Sequence, residues 1–410
     1  MPSIEKSAAA RRELKHRVVA LWRASGLTPA TIGRYLWWVS RFCDACAERG
    51  KDDVQSLTEA GCAELVRARA KGHGRAKIDA AFAKARSSLR AWAFALTTLG
   101  IKVPAWRAHA LPPRPVPPLL AEFAEYRRRH AGVAPGTIVL ELACASRFVA
   151  FLGGRGRRLS AVRLGDVDAF VAFLLKSMKR KTVAGMCSAL RAFLRFLHAT
   201  ARLPHDVADS VLAPRVRVAD CPPRVLPWRD VRRLIAAIDV CAPLGRRDLA
   251  LLLTMATYGM GAGEVLGIRL EDIAWRTGTL HVRRPKTHAV INLPLLPVVG
   301  RVLAAYLRHG RPAHATAREV FVNAGMPHAA LQSAGAIGHR IRKYARKAGV
   351  TAAFLGSHVL RHSHATRQIE IGAPAKAVAD ILGHRDPSST SAYVRVATSR
   401  LRSISLPVPR

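Results

Sequence analysis

Residues 356–396 read GSHVLRHSHATRQIEIGAPAKAVADILGHRDPSSTSAYVRV, and this stretch decides the fold. Apolar residues recur at helical spacing after His358, which predicts one helix that carries His358 and Arg361 on the same face. Gly372 ends that helix, and a second short helix is predicted from Lys376 to Leu382. Two short helices therefore bring polar side chains into one region.

Four polar side chains of this region suit a phosphate group. They are a cation, two imidazoles and a phenol, at His358, Arg361, His384 and Tyr393. A guanidinium pairs bidentately with phosphate oxygens, an imidazole donates a hydrogen bond or moves a proton, and a hydroxyl can attack phosphorus. Two amphipathic helices with surface histidines would explain any one of these residues alone. The occurrence of all four residues together, at this order and spacing, favours a phosphate-binding function.

The order and spacing of these residues resemble the carboxyl-terminal signature of the tyrosine recombinases, the phage-integrase family. That signature is H-x-x-R, two helical segments, L-G-H, and a tyrosine nine residues beyond the histidine. Here it reads His358-Val-Leu-Arg361, Leu382-Gly383-His384 and Tyr393. The resemblance implies a mainly α fold with a small β-hairpin or sheet. In that fold, N-terminal SAM-like helical bundles precede a C-terminal tyrosine-recombinase catalytic domain.

The resemblance also implies a role for each residue of the set. Tyr393 is the expected nucleophile, His358 its base, and Arg361 and His384 donate to the non-bridging phosphate oxygens. Lys286, at the tip of a predicted hairpin, looks like the family's β-turn lysine and is the expected acid for the leaving 5′-oxygen. An exposed hairpin lysine without a function is the alternative for that position.

One position departs from the family pattern. Family members read T-G-L-R-x-x-E-L, and that arginine is the first of two that clamp the scissile phosphate. Here residues 258–265 read YGMGAGEV, so Gly261 occupies the position of the arginine while Glu264 aligns. Loss of one preorganised charge partner typically costs roughly 10²- to 10⁵-fold in rate. Three explanations stay open: an arginine arrives from elsewhere, the enzyme is slow, or the chain acts as an impaired partner of an intact recombinase.

The composition indicates a polyanionic partner. Lys and Arg number 66 against 27 Asp and Glu, a formal net charge of +39. Such an excess repels itself in the compact state, and counterion release makes nucleic acid the expected neutralising partner. A basic-biased proteome would explain part of the excess. A membrane is not expected, because no run approaches about eighteen apolar residues and no signal peptide opens the chain.

No cofactor or metal is predicted. The seven cysteines form no disulfide framework, and the C-x-x-C at Cys43 and Cys46 lies in a helical pattern without a second pair nearby. Recombination of this type conserves energy in the phosphodiester, and the chain has no G-x-x-x-x-G-K-[ST] motif for ATP.

The length of 410 residues predicts two or three domains. We expect an N-terminal helical module (1–110), a proline-rich linker (111–119), a core-binding helical DNA-binding domain (120–212), a second linker (213–227) and the catalytic domain (228–410).

The two N-terminal parts are related by an internal repeat. Residues 28–50 match residues 134–156 at a constant offset of 106, with identities that include Pro29/Pro135, Ser40/Ser146 and Phe42/Phe148. Two copies of one helical module are therefore predicted, and convergent helix-start patterns are the alternative. The second copy looks like the family's core-binding domain. The first would bind arm-type DNA sites, extend the clamp or mediate protein contacts.

Basic side chains of both copies are candidate DNA contacts, and a merely solvated basic face is an equally good explanation. They are Lys179, Arg180, Lys181, Arg191, Arg195, Arg41 and Arg147.

The sequence thus predicts a site-specific DNA recombinase or integrase of a mobile element, in a bacterial cytoplasm and associated with the nucleoid. The resemblance to the family implies that the partner is double-stranded DNA and that a homotetramer assembles on two duplexes. Other recombinases of the same element are further candidate partners. The competing hypothesis is a catalytically impaired DNA-binding or accessory protein of the same fold. A metal-dependent transposase is less favoured, because no carboxylate cluster stands out among the 27 acidic residues.

Overall fold

The computed structural model describes residues 2–69, 74–104, 106, 116–216, 224–242, 244–383 and 393–394. Within them the chain is mainly helical with one small antiparallel sheet, so the predicted fold class is confirmed. The chain forms two compact units, Met1–His109 together with Pro223–Arg410, and Ala110–Pro222.

Four helices open the first unit: α1 Pro2–Ala24, α2 Pro29–Ala47, α3 Glu59–Arg69 and α4 Arg75–Thr98. Helix α2 begins at Pro29: the Thr28 hydroxyl accepts from the Thr31 backbone amide at 3.3 Å, and proline suits the first helical position because an N–H there would have no partner within the helix. The buried indole of Trp22 packs edge-to-face on Tyr35 and Trp92 and so joins three helices.

A loop of the C-terminal part packs against these four helices. Met326 is buried in their hydrophobic core. The fully buried His328 meets the ring of Phe94 edge-on at 6.0 Å, and its Nδ1 lies 3.2 Å from the carbonyl of Asn323. Burial lowers the pKa of His328, because the charged imidazolium would lose its hydration there.

The second unit contains α5 Pro118–Ala131, α6 Pro135–Gly153, α7 Leu164–Leu175 and α8 Arg180–Ala199. Helix α6 begins and ends 106 residues after α2, which is the offset of the sequence repeat. Ile32 and Phe42 of α2 are buried, and so are Ile138 and Phe148 of α6. Helix α5 begins at Pro118, within the range predicted for the first linker.

Helix α6 is long and apolar enough to cross a membrane by length and composition. Six of its side chains, among them Phe148 and Leu152, are buried, and the helix packs against α5 and α8. A core helix of a water-exposed bundle has the same properties, so the helix alone is weak evidence of a membrane span.

The C-terminal part of the first unit comprises α9 Trp228–Ala236, α10 Gly245–Tyr258, α11 Ala262–Leu266, β1 Ile273–Ala274, β2 Thr279–Arg283, β3 Val290–Pro294, α12 Pro297–His309, α13 Ala334–Lys347, α14 Val359–Glu370 and α15 Ala375–Leu382. The strands pair antiparallel in the order β1-β2-β3, with Leu280 opposite Leu293. Leu280 and Val282 point into the core, which fixes the register of the hairpin. Helix α14 packs against α9, α10 and α15.

The burial of His328 predicts a pH-dependent stability. Because its pKa is lowered in the folded state, neutral His328 stabilises the fold above the unfolded pKa of about 6.5, and this contribution is lost as the pH falls through the lowered value. We expect His328→Asn, which also suits the positive φ of 54° at this position, to weaken the loss of stability between pH 7.5 and 5. Denaturant unfolding across that range measures the effect. Replacement of the exposed His339 by Asn is the control, and an equal acid sensitivity of both variants would contradict the prediction.

Candidate active site

A partly buried ion pair holds the centre of the site together. Arg361, in the first turn of α14, donates from Nη1 to Glu264 Oε2 at 2.9 Å and to the Gly259 carbonyl at 3.1 Å. Its Nη2 donates to the carbonyl of Leu382, at the end of α15. The side chains of Arg361 and Glu264 are only 13% and 14% exposed. One guanidinium therefore joins α10, α11, α14 and α15.

Gly261 lies beside this ion pair as the residue that precedes α11. Its amide donates to Glu264 Oε2 at 2.6 Å, and its φ of −72° and ψ of 159° are open to any residue. A Cβ placed at Gly261 would lie 3.4 Å from Glu264 Oε2 and 3.6 Å from Arg361 Nη1, which is ordinary contact. The backbone thus does not require glycine, and a side chain at this position would point at the ion pair.

A second guanidinium reaches the same carboxylate from the β2–β3 hairpin. Arg284 Nε lies 4.0 Å from Glu264 Oε1, and the Arg284 side chain is 12% exposed. Its Nη2 donates to the carbonyls of Asp380 at 3.1 Å and Ile381 at 2.7 Å. Gly383 ends α15 in the left-handed conformation, and a Cβ there would overlap Arg284 Nη1. This glycine is needed for both its backbone conformation and the close approach of Arg284.

Lys286 and His358 complete the cationic surround. As predicted, Lys286 is exposed in the turn between β2 and β3. His358 directly precedes α14, and its ring reaches solvent. Partial burial, followed by the charges of Arg361 and Lys286, lowers the pKa of His358, while Glu264 opposes the shift. His358 is therefore neutral at pH 7 and able to accept a proton.

Tyr393 lies inside the fold, against α14 and α15. It is 4% exposed, in a cluster with Ala365, Ile369, Val378 and Leu382. Its hydroxyl is 2.9 Å from Nδ1 of His362, the residue after Arg361. Burial raises the pKa of the Tyr393 phenol above its ordinary value, and the positive charge of Arg361 partly offsets that effect. A phenol in this environment needs a base to become a nucleophile.

The structure thus brings together four of the five residues predicted for catalysis. His384 lies outside the described residues. Two residues of the site, Arg284 and His362, were not predicted. Each had a signal in the sequence, since Arg284 is two positions before Lys286 and His362 directly follows Arg361.

The predicted DNA contacts lie in different environments. Lys179, Arg180 and Lys181 are exposed at the start of α8. Arg191 donates to the carbonyl of Val211 at 2.7 Å and Arg195 pairs with Asp209 at 2.6 Å, so both already have partners in their own unit.

The two repeat-related arginines, also predicted as DNA contacts, differ from each other. The Arg41 guanidinium stacks 4.0 Å from the ring centroid of Trp37. Arg147 is exposed, and its Nη1 lies 3.8 Å from the sulfur of Met178. Contact of any of the seven predicted residues with DNA stays a prediction.

Sequence comparison matches two models of one family to this chain. Residues 224–400 match the phage integrase family, and residues 120–200 match its N-terminal SAM-like domain. The protein y4rF of Sinorhizobium fredii, named as an integrase or recombinase, is 38% identical over 71% of this chain and 69% of its own length. The tyrosine recombinase XerD of Ralstonia nicotianae is 31% identical over 71% of this chain and 94% of its own length.

Solved structures share the fold at low sequence identity. XerH recombinase bound to a palindromic difH substrate has a TM-score of 0.53 and 15% identity, and the match covers 70% of this chain and 93% of XerH. A lambda integrase dimer bound to a COC′ core site has a TM-score of 0.52 and 15% identity, over 71% of this chain and 98% of that one. The fold is shared with these DNA recombinases and integrases. The chain belongs to the phage integrase family of tyrosine recombinases.

The buried carboxylate is expected to be essential for stability. Glu264→Gln leaves the guanidiniums of Arg361 and Arg284 without an anionic partner, and we expect a loss of about 3–5 kcal/mol in the free energy of unfolding. Denaturant unfolding at neutral pH measures this loss. Glu271→Gln removes an exposed partner of Arg318 and should leave the unfolding midpoint nearly unchanged. Equal midpoints for the two variants would contradict this assignment.

Proposed function

We propose that the chain is a site-specific DNA recombinase or integrase of a mobile element, which cuts and rejoins DNA through a 3′-phosphotyrosyl intermediate. The observation that carries this proposal is that Arg361 lies within electrostatic range of both His358 and Tyr393 in one chain. Glu264 faces two partly buried guanidiniums, and Lys286 acts on His358, so the site keeps a positive excess among the described residues. A phosphodiester is the anion that such a set of donors fits.

The reaction begins with attack of the Tyr393 oxygen on the scissile phosphorus. The new tyrosyl–phosphorus bond forms as the bond to the 5′-oxygen breaks, and Lys286 gives a proton to that leaving oxygen. Arg361, with His384, donates to the non-bridging oxygens as their charge grows. The freed 5′-hydroxyl of a partner strand then reverses the step, so that no energy source is consumed.

Two imidazoles, His358 before α14 and His362 within it, prepare the phenol for attack. His358 has a lowered pKa and is neutral at pH 7, which suits a general base. His362 touches the Tyr393 hydroxyl directly, so we assign it the positioning of the phenol before attack. Transfer to His358 then requires a shift of the phenol when DNA binds.

We further propose that double-stranded DNA binds along the exposed start of α8 through Lys179, Arg180 and Lys181. A homotetramer on two duplexes is the proposed assembly, located with the nucleoid of the bacterial cytoplasm. Other recombinases of the same element are candidate partners. The first helical module, as a repeat of the second, would contact an arm-type DNA site or extend the clamp.

A non-catalytic accessory role is the second candidate, and the observation in its favour is Gly261. It predicts DNA binding without covalent chemistry. The position of the Tyr393 phenol within electrostatic range of Arg361 weighs against it, because DNA binding alone does not require a phenol held near a guanidinium.

Loss of the phenol oxygen should abolish covalent capture of DNA. We expect the wild type to form a covalent complex with a nicked duplex that carries the ends of its own element, and Tyr393→Phe to form none. Denaturing gel electrophoresis detects the complex. Tyr306→Phe, which alters a buried phenol of α12, is the control and should retain the complex. Failure of the wild type at every concentration would favour the accessory role.

The lowered pKa of His358 predicts the pH profile of covalent capture. Since protonated His358 cannot accept the phenol proton, the single-turnover rate should be level from pH 8 to about 7 and fall only below about pH 6.5. We expect His358→Gln to be slow and to lack this acid limb. An acid limb centred above pH 7 in the wild type would contradict the assignment of His358 as the base.

A further inference from the structure

Arg284 combines burial with an unused hydrogen-bond donor. Its Nε is buried and has no hydrogen-bond partner among the described residues, although Glu264 lies 4.0 Å away. A buried polar group without a partner is costly, and an arginine is rarely held in this way without a reason. A donor that has no partner in the described part of the chain points to a ligand that arrives later.

Arg284 lies next to Glu264, as would a side chain at Gly261, where the family pattern has an arginine. A side chain at Gly261 would begin 3.4 Å from Glu264 Oε2, beside Arg361. Arg284 approaches Oε1 of the same carboxylate from the hairpin. The two positions are far apart in sequence, but both lie next to Glu264. A guanidinium from either therefore adds a second positive charge next to Arg361.

We propose that Arg284 is the second guanidinium that binds the scissile phosphate, in place of the arginine that Gly261 lacks. This proposal rests on the proposed function. Arg361 and Arg284 together exceed the charge of Glu264, and the remaining positive charge is available to the phosphate. Because Nε is buried, the guanidinium has to turn when DNA binds before Nε can donate to a non-bridging oxygen, and its planar fork suits that contact.

Two other arginines of this domain already have partners, and a third is exposed to solvent. Arg247 is 3% exposed and is bound to Asp248 and to the carbonyl of Val322. Arg246 donates to the carbonyl of His309 at 3.2 Å. Arg269 is exposed in the segment after α11. Among the described residues, Arg284 is thus the arginine that approaches Glu264 from outside the family signature.

The position of the β2–β3 hairpin supports a role of Arg284 in the reaction. Pro285 packs against Gly263, where a Cβ would meet it at 3.1 Å, so the hairpin is seated on α11. Arg284 and Lys286 flank this proline, one buried toward Glu264 and the other exposed. One hairpin thereby supplies the second phosphate ligand and the proton donor for the leaving oxygen.

The first experiment measures the single-turnover rate of covalent capture at saturating DNA. We expect Arg284→Gln to lose roughly 100-fold or more, since it removes a charged donor from the transition state. Arg283→Gln, at the exposed neighbouring position, is the matched control and should stay within about threefold of the wild type. The Tm of each variant shows that it is folded. If Arg284→Gln is unfolded, Arg284→Lys replaces it, with an expected loss of about tenfold because charge remains without the planar fork.

Two further measurements separate phosphate binding from a structural contact with α15. Gly261→Arg placed on Arg284→Gln should recover most of the lost rate, because it returns a guanidinium beside Glu264 without repairing the bonds to Asp380 and Ile381. With a neutral methylphosphonate at the scissile position, the loss caused by Arg284→Gln should shrink to below about tenfold. No rescue and an unchanged loss would overturn the proposal.

Anion binding, measured without catalysis, tests the role of Arg284 separately from the proposed recombinase function. Inorganic phosphate should raise the Tm of the wild type and of Arg283→Gln more than that of Arg284→Gln, because binding to the folded state stabilises it. If the wild type captures no DNA but this difference is present, the proposed function fails and the anion site at Arg284 stands. Equal shifts in all three proteins would overturn the role of Arg284.

Discussion

The contact between Glu264 and Arg361 is the constraint on which the rest of the site depends. A carboxylate and a guanidinium removed from water are stable only as a hydrogen-bonded pair, so the ends of the helices that carry them cannot separate independently. The same guanidinium binds backbone carbonyls at Gly259 and Leu382 and so fixes where α10 ends relative to α15. Placement of the phenol follows, because Tyr393 packs against α14 and α15.

A charge in an active site has to be at the right point in space, whichever part of the chain carries it. Glu264 has two oxygens, and in this chain one faces Arg361 and the other faces Arg284. The family pattern places both guanidiniums in helical segments of the signature. Here a strand end supplies the second, and Gly383 provides the space for it. Gly261 and Arg284 are thus distant in sequence, but both lie next to the same carboxylate.

Much of this architecture could be predicted from the sequence, because its causes are local. The repeat at an offset of 106 residues predicted two related helical segments, and α2 and α6 are that pair. The hairpin with Lys286 at its turn followed from the resemblance to the family's β-turn lysine. Arg284 could not be predicted, since its importance arises from an approach to α11 and α15 that no local pattern encodes. The contact of His362 with Tyr393 depends likewise on tertiary packing, although both residues stand in the signature stretch.

The burial of Tyr393 against its own α14 and α15 has a consequence for assemblies of several copies. Each copy would hold its phenol and its guanidiniums in one body. A mutant without the phenol and a mutant without Arg361 should therefore fail to complement each other when mixed. Each defective copy would leave one DNA strand uncut in the assembly. The yield of recombined DNA should therefore fall as the share of mutant copies rises.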